Sequence, residues 1–334
     1  MNLLVIADPL ATFKTYKDST YAMMREADRR GHRLFALEPE HLLLRDTRVL
    51  GMASAVTLKD DSHDWFDAAP RAPVPLAEFD LVLMRKDPPF DNEYLYSTHL
   101  LDLAERQGAL VVNRPQAIRD FNEKLAVAKF ASFAPPTLVT RLESVLREFL
   151  AEHRDVIFKP LDGMGGSGVF RVREDDPNIG VIIETITVYG ARTIMAQRYL
   201  PEIRDGDKRV LLIDGIPAPY ALARIPKAGE TRGNLAAGGT GVARPLTDRD
   251  REIASALGPT LRDLGLTLVG LDVIGSHLTE INVTSPTGMQ EIAQQTDCNP
   301  AALMIDALER LHAARRSGDR TAPADAAASP SLHR

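Results

Sequence analysis

Residues 156–172 constrain this chain more than any other stretch: four glycines (Gly163, Gly165, Gly166, Gly168) fall within six positions, between two apolar runs of β type. Glycines spaced like that let the backbone come close to a bulky anion and turn its N–H groups toward it, where a side chain would stand in the way. Lys159, just ahead of the loop, adds a compact positive charge, so the segment reads as a phosphate grip that includes Ser167. The spacing Gly163, Gly165, Gly168 also satisfies G-x-G-x-x-G, but the dinucleotide fingerprint needs a helix to open at the glycines. Here Val169–Val172 reads as a strand. A Walker A loop is excluded as well, because the lysine precedes the glycines and no Gly-Lys-Ser/Thr follows.

An anionic ligand would have to be held by locally placed cations, since 40 basic against 46 acidic side chains leave a net charge of −6 with no basic block. That balance argues against a nucleic-acid partner. The opening Met1–Pro9 has no basic leader and breaks at Asp8, so it reads as a first strand. No apolar run approaches the ~18 residues that would span a bilayer, and no membrane partner is expected. The single cysteine, Cys298, excludes an intramolecular disulfide, fits a reducing cytoplasm and reads as a small filler residue.

The first ~120 residues alternate strand and helix signals. Leu3–Ala7 is a strand, and Asp18 can cap a helix running to Arg30 and stopping at Gly31. Phe79–Met84 is a strand, Asn92–Gln107 a helix, and Ala109–Val112 a strand. The alternation implies a mostly parallel, Rossmann-like sheet in an α/β domain over residues 1–121, with its ligand crevice at the carboxyl ends of the strands. Arg85, Lys86 and Asp87 follow such an end and are candidate substrate residues. A helix from Asn122 or Glu123 to about Ser132 should carry Lys124. A second, α+β region over 122–312 then holds strands at Thr137–Val139 and Thr193–Tyr199, a helix at Arg141–Ala151, the glycine hairpin, and a hairpin turning at Asp214-Gly215. Ile225–Gly241, with Lys227, Glu230 and Arg232 and no hydrophobic period, reads as a mobile lid loop. Residues 313–334 are expected to be a disordered tail.

Leu268–Val283 reads as a second hairpin turning near Ser276, with Asp272 opposite Glu280. Side-chain alternation then puts Asp272, Glu280 and Asn282 on one face while Val273 and Ile281 enter the core. Two carboxylates and an amide, with no His or Cys, suit Mg²⁺, a hard cation that shares its ligands with phosphates. The histidines form no His-x-His or His-Glu-x-x-His pair, so zinc is not indicated. Nor does Ser167 sit in Gly-x-Ser-x-Gly.

Lys124, the Lys159 hairpin, the lid-like segment and the Asp272/Glu280/Asn282 trio together resemble the ATP-grasp superfamily. Within it, six strings resemble bacterial glutathione synthetases: Met84–Phe90, Lys159–Gly166, Asp205–Arg209, Ala223–Pro226, Gly229–Gly239 and Thr279–Pro286. The resemblance covers residues 1 to about 312. It implies an N-terminal substrate domain followed by an ATP-grasp domain of two α+β subdomains, and ATP-dependent ligation of γ-glutamylcysteine to glycine through an acyl phosphate. By family position, Lys124 and Lys159 hold phosphates, Gln197, Tyr199 and Leu200 form the adenine hinge, and Asp207 takes the ribose. Arg209, Arg224 and Arg232 stabilise the transferring phosphoryl group. Asp272, Glu280 and Asn282 hold Mg²⁺, with Mn²⁺ as an alternative, and Asn282, Val283, Ser285, Pro286, Arg85 and Lys86 face the peptide substrates. A homotetramer is implied too. One rival is another carboxylate–amine ligase, of the D-alanine or glutamate type, against which the Arg85–Phe90 string speaks. A nucleotide-binding module without catalysis would show a broken trio or missing phosphate cations, and this sequence shows neither.

Overall fold

Leu3, Leu4, Val5 and Ile6 have no room for water on either side, because β1 (Asn2–Ile6) lies inside a sheet covered on both faces. A continuous apolar strand is what such a position requires. The computed structural model describes residues 1–227, 229, 233 and 238–317. After β1 come α1 (Ser19–Arg29), β2 (Arg33–Leu37), β3 (Leu42–Arg45), β4 (Arg48–Leu58), β5 (Phe66–Ala68), β6 (Ala72–Pro75), β7 (Leu81–Met84), α2 (Asn92–Arg106), β8 (Val111–Val112) and α3 (Pro115–Asp120). Asp18 accepts from Tyr21 N at 2.8 Å and so caps α1 as its sequence suggests. Asp91 does the same for α2.

The sheet runs β3-β4-β2-β1-β7-β8, with β5 and β6 also paired to β4. Strands β2, β1, β7 and β8 are mutually parallel. The long β4 adds to β2 in the antiparallel sense, and β3, β5 and β6 pair with it the same way. The Rossmann-like parallel part therefore carries an antiparallel extension that the helix–strand alternation did not disclose.

Residues 122–132 form a 3₁₀ turn at Leu125–Phe130 in place of the expected helix. Two local bonds explain it. The Asn122 side-chain oxygen accepts from Leu125 N at 2.9 Å and Lys124 N at 3.2 Å, a side-chain turn that competes with a helix. The Glu123 carbonyl, which a helix would need, accepts instead from Ile281 N at 2.8 Å.

A four-stranded antiparallel sheet follows, ordered β11-β10-β12-β9. It comprises β9 (Thr137–Thr140), β10 (Asp155–Pro160), β11 (Phe170–Arg173) and β12 (Ile194–Arg198), backed by α4 (Glu143–His153) and α5 (Ile179–Thr187). The last sheet is ordered β15-β14-β13-β16-β17. Its members are β13 (Asp207–Ile213), β14 (Ile216–Ile225), β15 (Thr240–Pro245), β16 (Leu268–Ile274) and β17 (His277–Asn282), with α6 (Asp248–Asp263), α7 (Met289–Gln295) and α8 (Pro300–Arg316) alongside. Asp214 and Gly215 both take positive φ, 54° and 75°, as a two-residue hairpin turn demands. The expected tail begins too early at 313, since α8 continues to Arg316. Arg315 and Arg316 lie in its last turn, where the helix dipole favours cations, and Arg315 donates to the Gly108 carbonyl. Residues 318–334 of the expected tail lie outside the described residues.

Candidate active site

β10 and β11 pair antiparallel, Asp155 to Arg173 through Phe158 to Phe170, so the glycine loop is the turn of a hairpin. Gly165, Gly166 and Gly168 take φ of 61°, 80° and 68°, where a side chain would be strained. A Cβ at Gly163 would stand 2.8 Å from Pro160 Cγ. The loop covers one wall of a cavity of ≈ 560 Å³ between the two later sheets and the carboxyl ends of β1 and β7. Gly163, Gly165, Gly166 and Ser167 line it, together with Lys124, Lys159, Gln197, Tyr199, Leu200, Asp207, Arg209, Arg224, Asp272, Glu280, Asn282, Ser285 and Arg85.

Three expected substrate residues do not line this cavity. Val283 is wholly buried in the main core, since alternation past Asn282 turns its side chain inward. Pro286 presents its carbonyl to Arg85 Nη2 at 3.0 Å. Lys86 reaches back to Asp8, with Nζ 2.7 Å from Oδ1. Glu230 and Arg232 lie outside the described residues.

Lys159 is 8% exposed, and its Nζ donates to the Thr279 carbonyl at 3.1 Å; burial lowers its pKa. Lys124 donates to the Gly163 carbonyl at 2.6 Å and pairs with Glu280 Oε1 at 2.7 Å. Burial works against its charge, but the Glu280 carboxylate more than offsets this and leaves its pKa raised. The two phosphate candidates from distant parts of the sequence thus meet the glycine hairpin and the carboxylate hairpin in one place.

Asp272 stands opposite Glu280 in the β16–β17 pairing, as the register argument expects. Arg209 Nε reaches Asp272 Oδ1 at 2.5 Å, Arg209 Nη2 its Oδ2 at 3.0 Å, and Arg224 Nη2 the same Oδ2 at 2.8 Å. Burial would raise the Asp272 pKa, but the two guanidiniums hold it well below the usual carboxylate range. Arg224 also pairs with Asp207 Oδ2. Asp207 Oδ1 is buried without a hydrogen-bond partner among the described residues, and burial pushes this carboxyl up to about 6.

Among the described residues, no three His, Cys, Asp or Glu side chains gather as a cation cluster. The donor set is nevertheless suited to a hard divalent cation that takes its remaining ligands from phosphate. Asn282 spends Nδ2 on the Gly270 carbonyl at 3.2 Å, which leaves its oxygen as an acceptor. Glu280 keeps a second carboxylate oxygen beside the one Lys124 engages. Asp272 would have to share its oxygens with the arginines.

Sequence reasoning missed Glu123. It is half-buried, accepts from Val283 N at 2.9 Å, Thr284 N at 3.1 Å and Thr284 Oγ1 at 2.8 Å, and lines the cavity. Burial and the nearby Glu280 raise its pKa. Its position next to Lys124 was the available signal. Lys14, Lys17, Asp18 and Glu291 also line the cavity; the strand-end rule that selected Arg85 could have found the first three beyond β1.

Two clamping α+β sheets, a glycine hairpin with its lysine, and a carboxylate–amide hairpin facing one cavity define an ATP-grasp ligase. Solved structures of the same fold include D-cycloserine synthetase DcsG (TM-score 0.67, 16% identity, 93% of this chain and 100% of that one). Another is a RimK domain ATP-grasp protein of Sphaerobacter thermophilus (TM-score 0.60, 17% identity, 92% and 100%). The family models for the prokaryotic glutathione synthetase N-terminal domain and ATP-grasp domain match residues 1–119 and 123–297. Glutathione synthetases of Nitrosomonas europaea and Escherichia coli O157:H7 are 64% and 51% identical to the chain, over 93% and 92% of it and 98% of their own lengths. The chain belongs to the prokaryotic glutathione synthetase family. No helix among the described residues is long and apolar enough to cross a membrane.

Proposed function

We propose that the chain joins γ-glutamylcysteine to glycine at the expense of ATP, the reaction of its family, with the cavity residues in the following roles. The cysteinyl carboxylate oxygen attacks the γ-phosphorus, and ADP leaves. Glycine's amine then attacks the acyl carbon, phosphate leaves with the C–O bonding pair, and the amine gives up a proton. Such phosphoryl transfer asks a protein for positioning and for cations around the moving oxygens.

The carrying observation is the convergence of Lys124, Lys159, Arg209 and Arg224 on one cavity with the glycine hairpin. Lys124, Lys159 and the loop N–H groups hold phosphates. Gln197, Tyr199 and Leu200 receive the adenine, and Asp207, through its unpartnered Oδ1, the ribose. Arg209 and Arg224, held by Asp272, face the transferring group. Arg85 is 3% exposed, and its Nη1 has no hydrogen-bond partner among the described residues; a carboxylate of the dipeptide supplies one, with Ser285 beside it. Eight cations among the described residues line the cavity, Lys14, Lys17, Arg85, Lys124, Lys159, Arg198, Arg209 and Arg224, against eight carboxylates, Asp8, Asp18, Asp87, Glu123, Asp207, Asp272, Glu280 and Glu291. The described residues therefore offer no surplus positive charge to a triphosphate, which supports divalent cations entering with the nucleotide. Glu280 and Asn282, sharing Asp272, would hold Mg²⁺ or Mn²⁺. When bound, the ion neutralises phosphate charge as it develops.

A division into a substrate domain (1–121) and an ATP-grasp domain (122–312) belongs to the same reading; the limits of the two family models support it. A cytoplasmic homotetramer also belongs to it, to be checked by light scattering. The deciding measurement is phosphate release with ATP, Mg²⁺ and γ-glutamylcysteine while the acceptor is varied. Release should require glycine and stop on chelation. Turnover with D-alanine or glutamate in place of glycine would transfer the chain to another ligase class.

A further inference from the structure

The cavity end nearest the N-terminal sheet holds two buried polar atoms of opposite charge, each without a hydrogen-bond partner among the described residues: Arg85 Nη1 and Glu291 Oε2. An unmatched buried carboxylate oxygen is costly to leave so, and the fold takes trouble to hold it there. Glu291 lies on α7, and the residues around it bind α7 to the β1–α1 loop and to the first turn of α1. Gln290 Nε2 donates to the Asp18 carbonyl at 2.8 Å, Gln294 Nε2 to that of Tyr16 at 3.1 Å, and Met289 N to Ser19 Oγ at 3.2 Å. The acid is thus preorganised on a braced element, and Lys17, Asp18 and Arg85 line the same cavity.

We propose that Glu291 is a specificity-determining residue that accepts the free α-ammonium of the γ-glutamyl group, while Arg85 takes the α-carboxylate on the same carbon. This rests on reading the cavity as the γ-glutamylcysteine site. A γ-linked peptide carries both charges on one carbon, at the end remote from the reacting carboxylate. An α-linked peptide has spent that carboxylate in its amide bond, so a paired anion and cation at this end select the γ-linkage and reject the α-isomer.

The test pairs Glu291→Gln with glutarylcysteine, the same donor without its amine. In the unaltered enzyme, glutarylcysteine should have a kcat/KM about 10- to 100-fold below that of γ-glutamylcysteine, the loss of one charge-assisted hydrogen bond. In Glu291→Gln, γ-glutamylcysteine should lose about 10-fold or more, chiefly through KM, while glutarylcysteine stays within about threefold and the KM for ATP is unmoved. Equal losses for both donors would make Glu291 a structural brace of α7 and overturn the proposal, and so would no loss for either. If the unaltered enzyme released no phosphate with γ-glutamylcysteine and glycine, the functional reading itself would fall, a result distinct from unequal or equal losses in the variant.

Discussion

Lys159 keeps its ammonium in a place that works against it. Burial lowers its pKa, and the neighbours that counter this are the Glu280, Asp207 and Asp272 carboxylates, with Lys124 acting the other way. Its hydrogen bond is to a carbonyl, Thr279 O, and no carboxylate among the described residues forms an ion pair with it, so the charge is available to a phosphate. Lys159→Ala should lower kcat by about 100-fold or more, since one preorganised charge at a developing oxyanion is worth roughly 3 kcal/mol. Steady-state kinetics with unchanged circular dichroism checks it; turnover within about threefold of the unaltered enzyme would remove Lys159 from the phosphate site. Lys159 and its glycines were legible because their meaning is local, a spacing within ten residues. Glu123 and Glu291 were not, because each acquires its role from a segment far along the chain: Glu123 from Thr284, Glu291 from the β1–α1 loop.

Helix α1 was legible for the same reason, from its Asp18 cap, whereas the helix it packs on was not. Arg30, just past the end of α1, reaches α8, with Nη1 2.6 Å from Asp306 Oδ1 and 3.0 Å from Glu309 Oε2, and Nη2 3.1 Å from the Ala302 carbonyl. Its Nε stays on Glu26 at 2.8 Å. Nothing periodic in the sequence announces a pairing of residues 30 and 306. Arg30→Ala should cost about 1–3 kcal/mol, as expected for removing one partner from a half-buried charge network. The hydrogen bond from Arg29 and, against the cost of burial, that from Arg30 hold the Glu26 carboxyl down to about 2. A depressed carboxyl contributes stability that is complete above its unfolded value of 4.5 and is lost as pH falls from there toward 2. Urea unfolding between those pH values should therefore show a steep decline that is shallower in Glu26→Gln. Equal slopes would place the acid sensitivity elsewhere.

Across the whole molecule the apolar interior is divided unevenly. Two large clusters begin in β1, and each mixes N-terminal residues with the β13–β17 sheet, so those parts share a core: Leu4 and Ile281 in one, Leu3 and Leu211 in the other, which continues into α8 at Leu308. The buried members of the third cluster, among them Leu146, Phe158, Ile183 and Ile194, all fall within residues 146–196, with Leu138 packed against them, while Met195 of β12 joins the first cluster. The cavity is the seam between that small core and the rest, bridged by the bonds of Lys159 to Thr279, Lys124 to Gly163 and Asn122 to Leu161. A core of its own lets the small subdomain open without the others. Leu146, fully buried, tests this: Leu146→Ala leaves a hole worth about 2–5 kcal/mol. Hydrogen exchange should then quicken by about 30-fold or more in α4, α5 and β9–β12, yet stay within about threefold in β13 and β16. ATP with Mg²⁺, bound across the seam to both sides, should restore much of the lost protection, because a ligand that binds the closed form stabilises it by mass action. Uniform acceleration through all three sheets would mean that the chain opens as one unit, and that nucleotide binding is not what holds the small sheet over the cavity.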